Sequence, residues 1–157
     1  TRSAKRSLTG CRDPLDVAVT SGACLCGAVA WTTAAELRPV LECHCERCRR
    51  LTGNHMAATA VTSSALDITG DALRWFSPAD DRNVAYGFCA TCGATLFYRS
   101  GIADGTNEIT SMAVGSFDAP SGLHTAAVWF ASQAGDHIRF ADSVTRYDTH
   151  PPADIDH

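Results

Sequence analysis

Long apolar runs are missing from this chain of 157 residues. No stretch approaches the 18 or more consecutive apolar residues of a membrane-spanning helix, and no signal-peptide-like apolar region follows the start, so the sequence reads as that of a soluble protein with no membrane partner. Lysine is nearly absent, one residue (Lys5) against twelve arginines, and the net charge of −4 removes the general cationic attraction that nucleic-acid binding relies on. The weakly basic start (Arg2, Lys5, Arg6, Arg12) is too short to outweigh the acidic body. Three kinds of catalytic pattern are also not suggested: a Ser-His-Asp arrangement, a glycine loop that cradles phosphate, and a catalytic carboxylate pair among Glu108 and the scattered aspartates. Charged residues make up only 19% against 45% hydrophobic, which excludes a disordered chain. By length this is one domain with an ordinary core.

What the chain does have is cysteine. Eight are present, at 11, 24, 26, 43, 45, 48, 89 and 92. Cys24-Leu25-Cys26 and Cys43-His44-Cys45 place pairs two residues apart, on one face of an extended chain. Such neighbours are poor partners for separate long-range disulfides but can share an ion. Cys89-Ala90-Thr91-Cys92-Gly93 is a zinc-knuckle sequence whose glycine supplies the turn. Spacing therefore favours zinc in a reducing, cytoplasmic setting over a secreted disulfide framework. Structural zinc is closed by four ligands, and catalytic zinc keeps a place open beside three. The natural division is two pairs making a four-cysteine site, with Cys43, Cys45 and Cys48 left as a three-ligand site; spacing alone does not say which clusters meet. Cys11, in a turn-rich segment, is expected to be a bystander, although its arrival at the triplet would close that site.

Along the chain, residues 1–20 read as an N-terminal arm, within which 15–20 can open a first strand, 21–140 as the zinc-binding domain, and 141–157 as a C-terminal tail. Short β-like runs alternate with turn signals: 28–33, 40–43, 56–61, 72–76, 83–88, 95–98, 108–114 and 126–130. This pattern predicts an all-β domain of antiparallel sheets. One helical turn is expected at Glu46–Thr52, stopped by Gly53.

Three ordered motifs, Gly22-Ala23-Cys24-Leu25-Cys26-Gly27-Ala28-Val29, Cys43-His44-Cys45-Glu46-Arg47-Cys48-Arg49-Arg50-Leu51-Thr52-Gly53 and Phe88-Cys89-Ala90-Thr91-Cys92-Gly93, resemble the glutathione-dependent formaldehyde-activating enzyme family, which also contains centromere protein V. Thr69-Gly70, Leu73-Arg74-Trp75-Phe76 and Val114-Gly115-Ser116-Phe117-Asp118 add to the likeness, which runs from about Ser21 to Phe140. The resemblance implies a β-tent fold pinned by zinc. It implies two zinc ions per chain, a structural one on Cys24, Cys26, Cys89 and Cys92 and a catalytic one on Cys43, Cys45 and Cys48. It further implies carbon–sulfur lyase chemistry that joins glutathione, or an equivalent small thiol, to formaldehyde or another small aldehyde. The chain departs from the family pattern at Ser132-Gln133-Ala134-Gly135-Asp136, where a tryptophan is expected.

Three thiolates leave a divalent ion at net −1, which favours capture of an incoming thiol over Lewis-acid activation of a neutral aldehyde. Nearby cations should then help. Arg47, Arg49 and Arg50 sit on the helical turn, with Arg49 and Arg50 the candidate grips for substrate carboxylates, and a solvated helix face as the ordinary alternative. His55 is the candidate substrate-side base or fourth ligand, against a plain loop role. His44, between two same-facing cysteines, should point the other way into a structural role. His124, Trp129 and Phe130 fall on or beside a late strand, where the aromatics are expected to pack in the core. The rival functional reading is a non-catalytic zinc-binding interaction module on the same scaffold. A methionine-sulfoxide repair enzyme fits less well, because no free cysteine pair remains for its redox cycle. Arginine in place of lysine, with abundant alanine, suggests a GC-rich bacterial source, where the thiol need not be glutathione.

Overall fold

The structure is a computed structural model, described here for residues 19–118 and 120–151. Cys11 and most of the N-terminal arm lie outside the described residues, as do residues 152–157. Among the described residues, eleven strands fall into two sheets: β1 (Thr20–Ala23), β2 (Ala30–Thr33), β3 (Val40–Cys43), β4 (Met56–Thr62), β5 (Leu66–Thr69), β6 (Leu73–Phe76), β7 (Val84–Cys89), β8 (Thr95–Ser100), β9 (Ile109–Ala113), β10 (Thr125–Trp129) and β11 (Thr145–Arg146). A three-stranded sheet has the order β1-β2-β5 and an eight-stranded sheet the order β11-β10-β3-β4-β9-β8-β7-β6. The fold is all-β with one helix, α1, at Glu46–Thr52.

The pairing is antiparallel except around β10, which runs parallel to both β3 and β11. The expectation of uniformly antiparallel sheets gives way at this edge, where β10 returns beside β3 only after the rest of the sheet has been laid down. Residues beyond 140 are also part of the sheet. Besides β11, the Tyr147 amide donates to the Val128 carbonyl at 2.9 Å and the Ala131 amide to that of Tyr147 at 2.9 Å.

Alternation along the strands divides the large sheet into two faces. One face carries Val61, Phe97 and Met112, buried with Leu96 against Trp31 and Leu66 of the small sheet and Val29 just before it. The other carries Met56, Ala58, Val84 and Tyr86 around Cys48. The small sheet is fastened by Trp31, whose indole donates to Ser116 Oγ at 3.2 Å and whose ring meets Phe117 edge-on at 4.5 Å.

Gly22 sits where this fastening is tightest. A Cβ there would run into the Ser116 carbonyl and the Trp31 ring. Gly22→Val should cost about 2 kcal/mol or more, a Tm loss of roughly 4–8 °C by thermal melt, because backbone cannot yield as a side-chain tip can.

Candidate metal centres and the cavity beside them

Two turns meet across the sheets. Between β1 and β2, the Gly27 amide donates to the Cys24 carbonyl; between β7 and β8, the Gly93 amide donates to the Cys89 carbonyl at 2.8 Å, with Gly93 at φ 75°, a conformation glycine adopts without strain. These turns gather the sulfurs of Cys24, Cys26, Cys89 and Cys92 within 4.8 Å of one another. The Cys24–Cys26 and Cys26–Cys89 separations are 3.6 and 3.8 Å. A disulfide needs about 2.05 Å. Tetrahedral zinc with bonds of about 2.3 Å sets its sulfurs about 3.8 Å apart. The donor set therefore fits a closed four-thiolate metal site. Amides of Ala94 and Cys26 donating to Cys92 draw its thiol down to about 6, which prepares it as a ligand.

The second group, Cys43, Cys45 and Cys48, is assembled by the end of β3 and the start of α1, its ligand atoms again within 4.8 Å of one another. Cys45 is the N-cap of α1, its Sγ accepting the Cys48 amide at 3.5 Å, and Gly53 ends the helix at φ 82° with its amide on the Arg49 carbonyl. The helix runs as expected from sequence: Gly53 supplies the stop, and Cys45 takes the place of an N-cap at the start. The loop after β10 braces this corner: the His44 amide donates to the Trp129 carbonyl at 2.9 Å, and Gln133 Oε1 accepts the Glu46 amide at 3.0 Å. Gln133 belongs to the very segment that departs from the family pattern.

Three thiols this close cannot all ionise without a cation. Hydrogen bonds from Cys43 and Cys48, with the backbone amides of Cys48 and Arg47, pull Cys45 far below the ordinary thiol range. The same interaction with Cys45 pushes Cys43 up to about 11, and Cys48 is driven upward by Cys43 and Cys45. Such a trio suits a positive ion. Among the described residues no fourth cysteine, histidine or carboxylate joins it.

The trio opens on a cavity of about 490 Å³, within the range of small-molecule sites. Its walls include Leu41, Met56, Val84, Tyr86, Tyr98, Trp129, Phe130 and His150, with two arginines, Arg38 and Arg47. Arg47 is committed, its guanidinium held 2.7 Å from Asp81 and 3.0 Å from Asp80. Arg38 is different. Its Nε is buried without a hydrogen-bond partner, its Nη1 reaches only the neighbouring Pro39 carbonyl at 3.4 Å, burial lowers its pKa to about 10, and no carboxylate among the described residues pairs with it.

Arg49, Arg50 and His55, the substrate-side candidates from sequence, are not on these walls. Arg50 lies along the exposed side of α1, paired with Glu46 at 2.8 Å one turn back. His55 stacks on His44 at 4.6 Å, and both join Glu42 in a third group of metal-capable side chains. Strand alternation explains this: Leu41, Cys43 and Cys45 face the cavity, so Glu42 and His44 face away. His44 is 1% exposed, and burial together with His55 lowers its pKa. His124 is exposed, while Trp129 and Phe130 line the cavity instead of filling the core. Phe130, at φ 56°, is the only non-glycine with positive φ among the described residues, and this turn carries the brace onto α1.

Sequence reasoning missed Arg38, His150 and Glu42. Arg38 and His150 precede or adjoin prolines in irregular segments, and nothing in their spacing marks them.

The family model described as glutathione-dependent formaldehyde-activating enzyme matches residues 19–133. No curated protein matches the chain. Among solved structures, a protein of Rhodobacter sphaeroides superposes with a TM-score of 0.53 at 23% identity, over 67% of this chain and 97% of that one, a likeness of fold. No helix among the described residues is long and apolar enough to cross a membrane.

Proposed function

Because this chain belongs to the glutathione-dependent formaldehyde-activating enzyme family, we propose that it is a zinc-dependent enzyme that makes or breaks the C–S bond between a small carboxylate-bearing thiol and formaldehyde or a similar small aldehyde. One observation carries this reading: a single cavity holds three thiols whose charges need a cation and an arginine, Arg38, that no carboxylate among the described residues neutralises. Cys24, Cys26, Cys89 and Cys92 would hold a structural zinc ion, and Cys43, Cys45 and Cys48 a catalytic one. Bound at the trio, zinc supplies the charge that lets an incoming thiol lose its proton near neutral pH.

The chain's own groups do the rest. Arg38 receives a substrate carboxylate through paired hydrogen bonds and holds the thiol end toward the trio. As the sulfur adds to the aldehyde carbon, the carbonyl electron pair moves onto oxygen, and the proton released by the thiol is balanced by one delivered there. Tyr98 and Tyr86 suit that delivery. Burial, with the charge of nearby Cys48, pushes Tyr98 up to about 12 and Tyr86 higher still, so both stay protonated and donate toward a developing oxyanion. The mainly apolar walls keep competing water away.

Exchange NMR on mixtures of formaldehyde with a panel of thiols tests this. Zinc-replete protein should speed adduct exchange above the uncatalysed rate for thiols that carry carboxylates, glutathione among them. Arg38→Gln should raise KM for those thiols roughly 10- to 100-fold, the worth of a charged hydrogen bond, with kcat little changed and neutral 2-mercaptoethanol unaffected. No acceleration with any thiol would overturn the reading. The rival reading, a non-catalytic interaction module, requires a closed second site, and neither the open cavity nor the donor count favours it.

A further inference from the structure

On the face of β3 turned away from the cavity, we propose a third metal site, in which Glu42, His44 and His55 bind a divalent first-row transition ion through two imidazoles and one carboxylate. It uses none of the cysteines and is independent of the thiol–aldehyde reading.

Three observations carry it. The ligand atoms of the three side chains lie within 4.8 Å of one another, brought together because the β3–β4 hairpin pairs Glu42 with Ala57, two residues past His55. Glu42 Oε2 stands 3.9 Å from His44 Nε2 and 4.0 Å from His55 Nε2. Those spans are too long for hydrogen bonds. A tetrahedral ion with bonds of about 2.0–2.1 Å sets its ligands about 3.3–3.4 Å apart, so side-chain shifts of about half an ångström bring the carboxylate and both rings onto one ion. Finally, His44 is 1% exposed, yet neither of its ring nitrogens has a hydrogen-bond partner, and His55 Nδ1 is likewise buried and unpartnered. A buried imidazole left in that state is costly, and a metal ion on Nε2 removes much of the cost.

The surroundings hold the ligands in place. The other carboxylate oxygen of Glu42 accepts the Thr125 hydroxyl at 2.9 Å, and the His44 ring is wedged between His55 and the edge of Phe140 at 5.1 Å. His55 also borders a smaller cavity of about 370 Å³, from which water can complete the coordination. Two imidazoles and a carboxylate suit zinc, iron, cobalt or nickel and not magnesium or calcium. One feature works against the ion: the Arg49 guanidinium is near enough to oppose positive charge on His44. The third site should therefore bind more weakly than the thiolate sites, filling only with added metal.

Zinc titration of full-length protein followed by metal analysis, repeated with cobalt(II), tests the assignment. Wild type should take up one zinc equivalent beyond those held by thiolates. With cobalt, that equivalent should add weak visible bands and no further thiolate charge-transfer absorption, which reads the cysteine sites separately. Glu42→Gln, which keeps an acceptor for Thr125, and His55→Gln should each lose the extra equivalent while the charge-transfer signal stays. Arg49→Gln should tighten it. Saturation of wild type with the thiolate-held ions alone would overturn the proposal. So would persistence of the extra equivalent in both Glu42→Gln and His55→Gln, which would place it on surface histidines.

Discussion

Cys45→Ser is expected to bring C–S bond formation down at least about 100-fold toward the uncatalysed rate, with one zinc ion fewer per chain and only a small change in Tm. The separation of these effects follows from where Cys45 sits. Its sulfur faces the cavity with Cys43 and Cys48, and its backbone begins α1. Serine is among the best N-cap residues, so the exchange removes the soft thiolate ligand and keeps the hydrogen bond that starts the helix. Cys45→Ala removes both and should cost about 1 kcal/mol more stability at the same loss of activity. The trio spans only residues 43–48, so an ion bound there would close a short local loop and contribute little to holding the sheets together. Exchange NMR, metal analysis and thermal melts on the two variants check the three effects. Full activity in Cys45→Ser, with both ions retained, would remove the trio from the mechanism.

The parts of this architecture that were legible in sequence are those whose signals are local. Cys89 to Cys92 announces its turn and Gly53 the end of α1, whereas Cys24-Leu25-Cys26, expected in extended chain, lies instead in the turn between β1 and β2. The outward turn of His44 follows from alternation alone. Strand β5 was hidden because Leu66-Asp67-Ile68-Thr69 is short and runs into the turn signal Thr69-Gly70-Asp71. The parallel placement of β10 against β3 depends on a long-range return that no local pattern encodes. The arginines show the limit most clearly. Arg47, Arg49 and Arg50 stand beside a cysteine in sequence, yet Arg47 is neutralised by Asp80 and Asp81, which are more than thirty residues away, and Arg50 by its own helix. Arg38 carries no motif and becomes a candidate anchor only when the sheet edge folds it into the cavity wall. Composition shows which charges exist; tertiary structure decides which of them stay free for a ligand.

Cys89→Ser is expected to do the opposite of Cys45→Ser and remove the fold itself. Cys89 is fully buried, and its sulfur lies 3.8 Å from that of Cys26, across 63 residues of chain and from one sheet to the other. An ion held by Cys24, Cys26, Cys89 and Cys92 would staple the β1–β2 turn to the β7–β8 turn, closing a long loop whose entropy the unfolded chain would otherwise regain. Structural zinc binding contributes about 10–16 kcal/mol in small zinc domains, against a total of about 5–15 kcal/mol for an ordinary domain. The buried Trp31–Phe97–Met112 packing cannot absorb a loss of that size. Cys89→Ser should therefore be insoluble, or melt tens of degrees below wild type, with near-UV circular dichroism from Trp31 collapsed. Stripping the ion from wild type with a strong chelator in mild denaturant should reproduce the same unfolding, and re-addition of zinc should reverse it. If Cys89→Ser instead keeps a sharp melting transition within about 5 °C of wild type while losing one zinc ion, the two sheets are held by packing alone and the four sulfurs are not the staple.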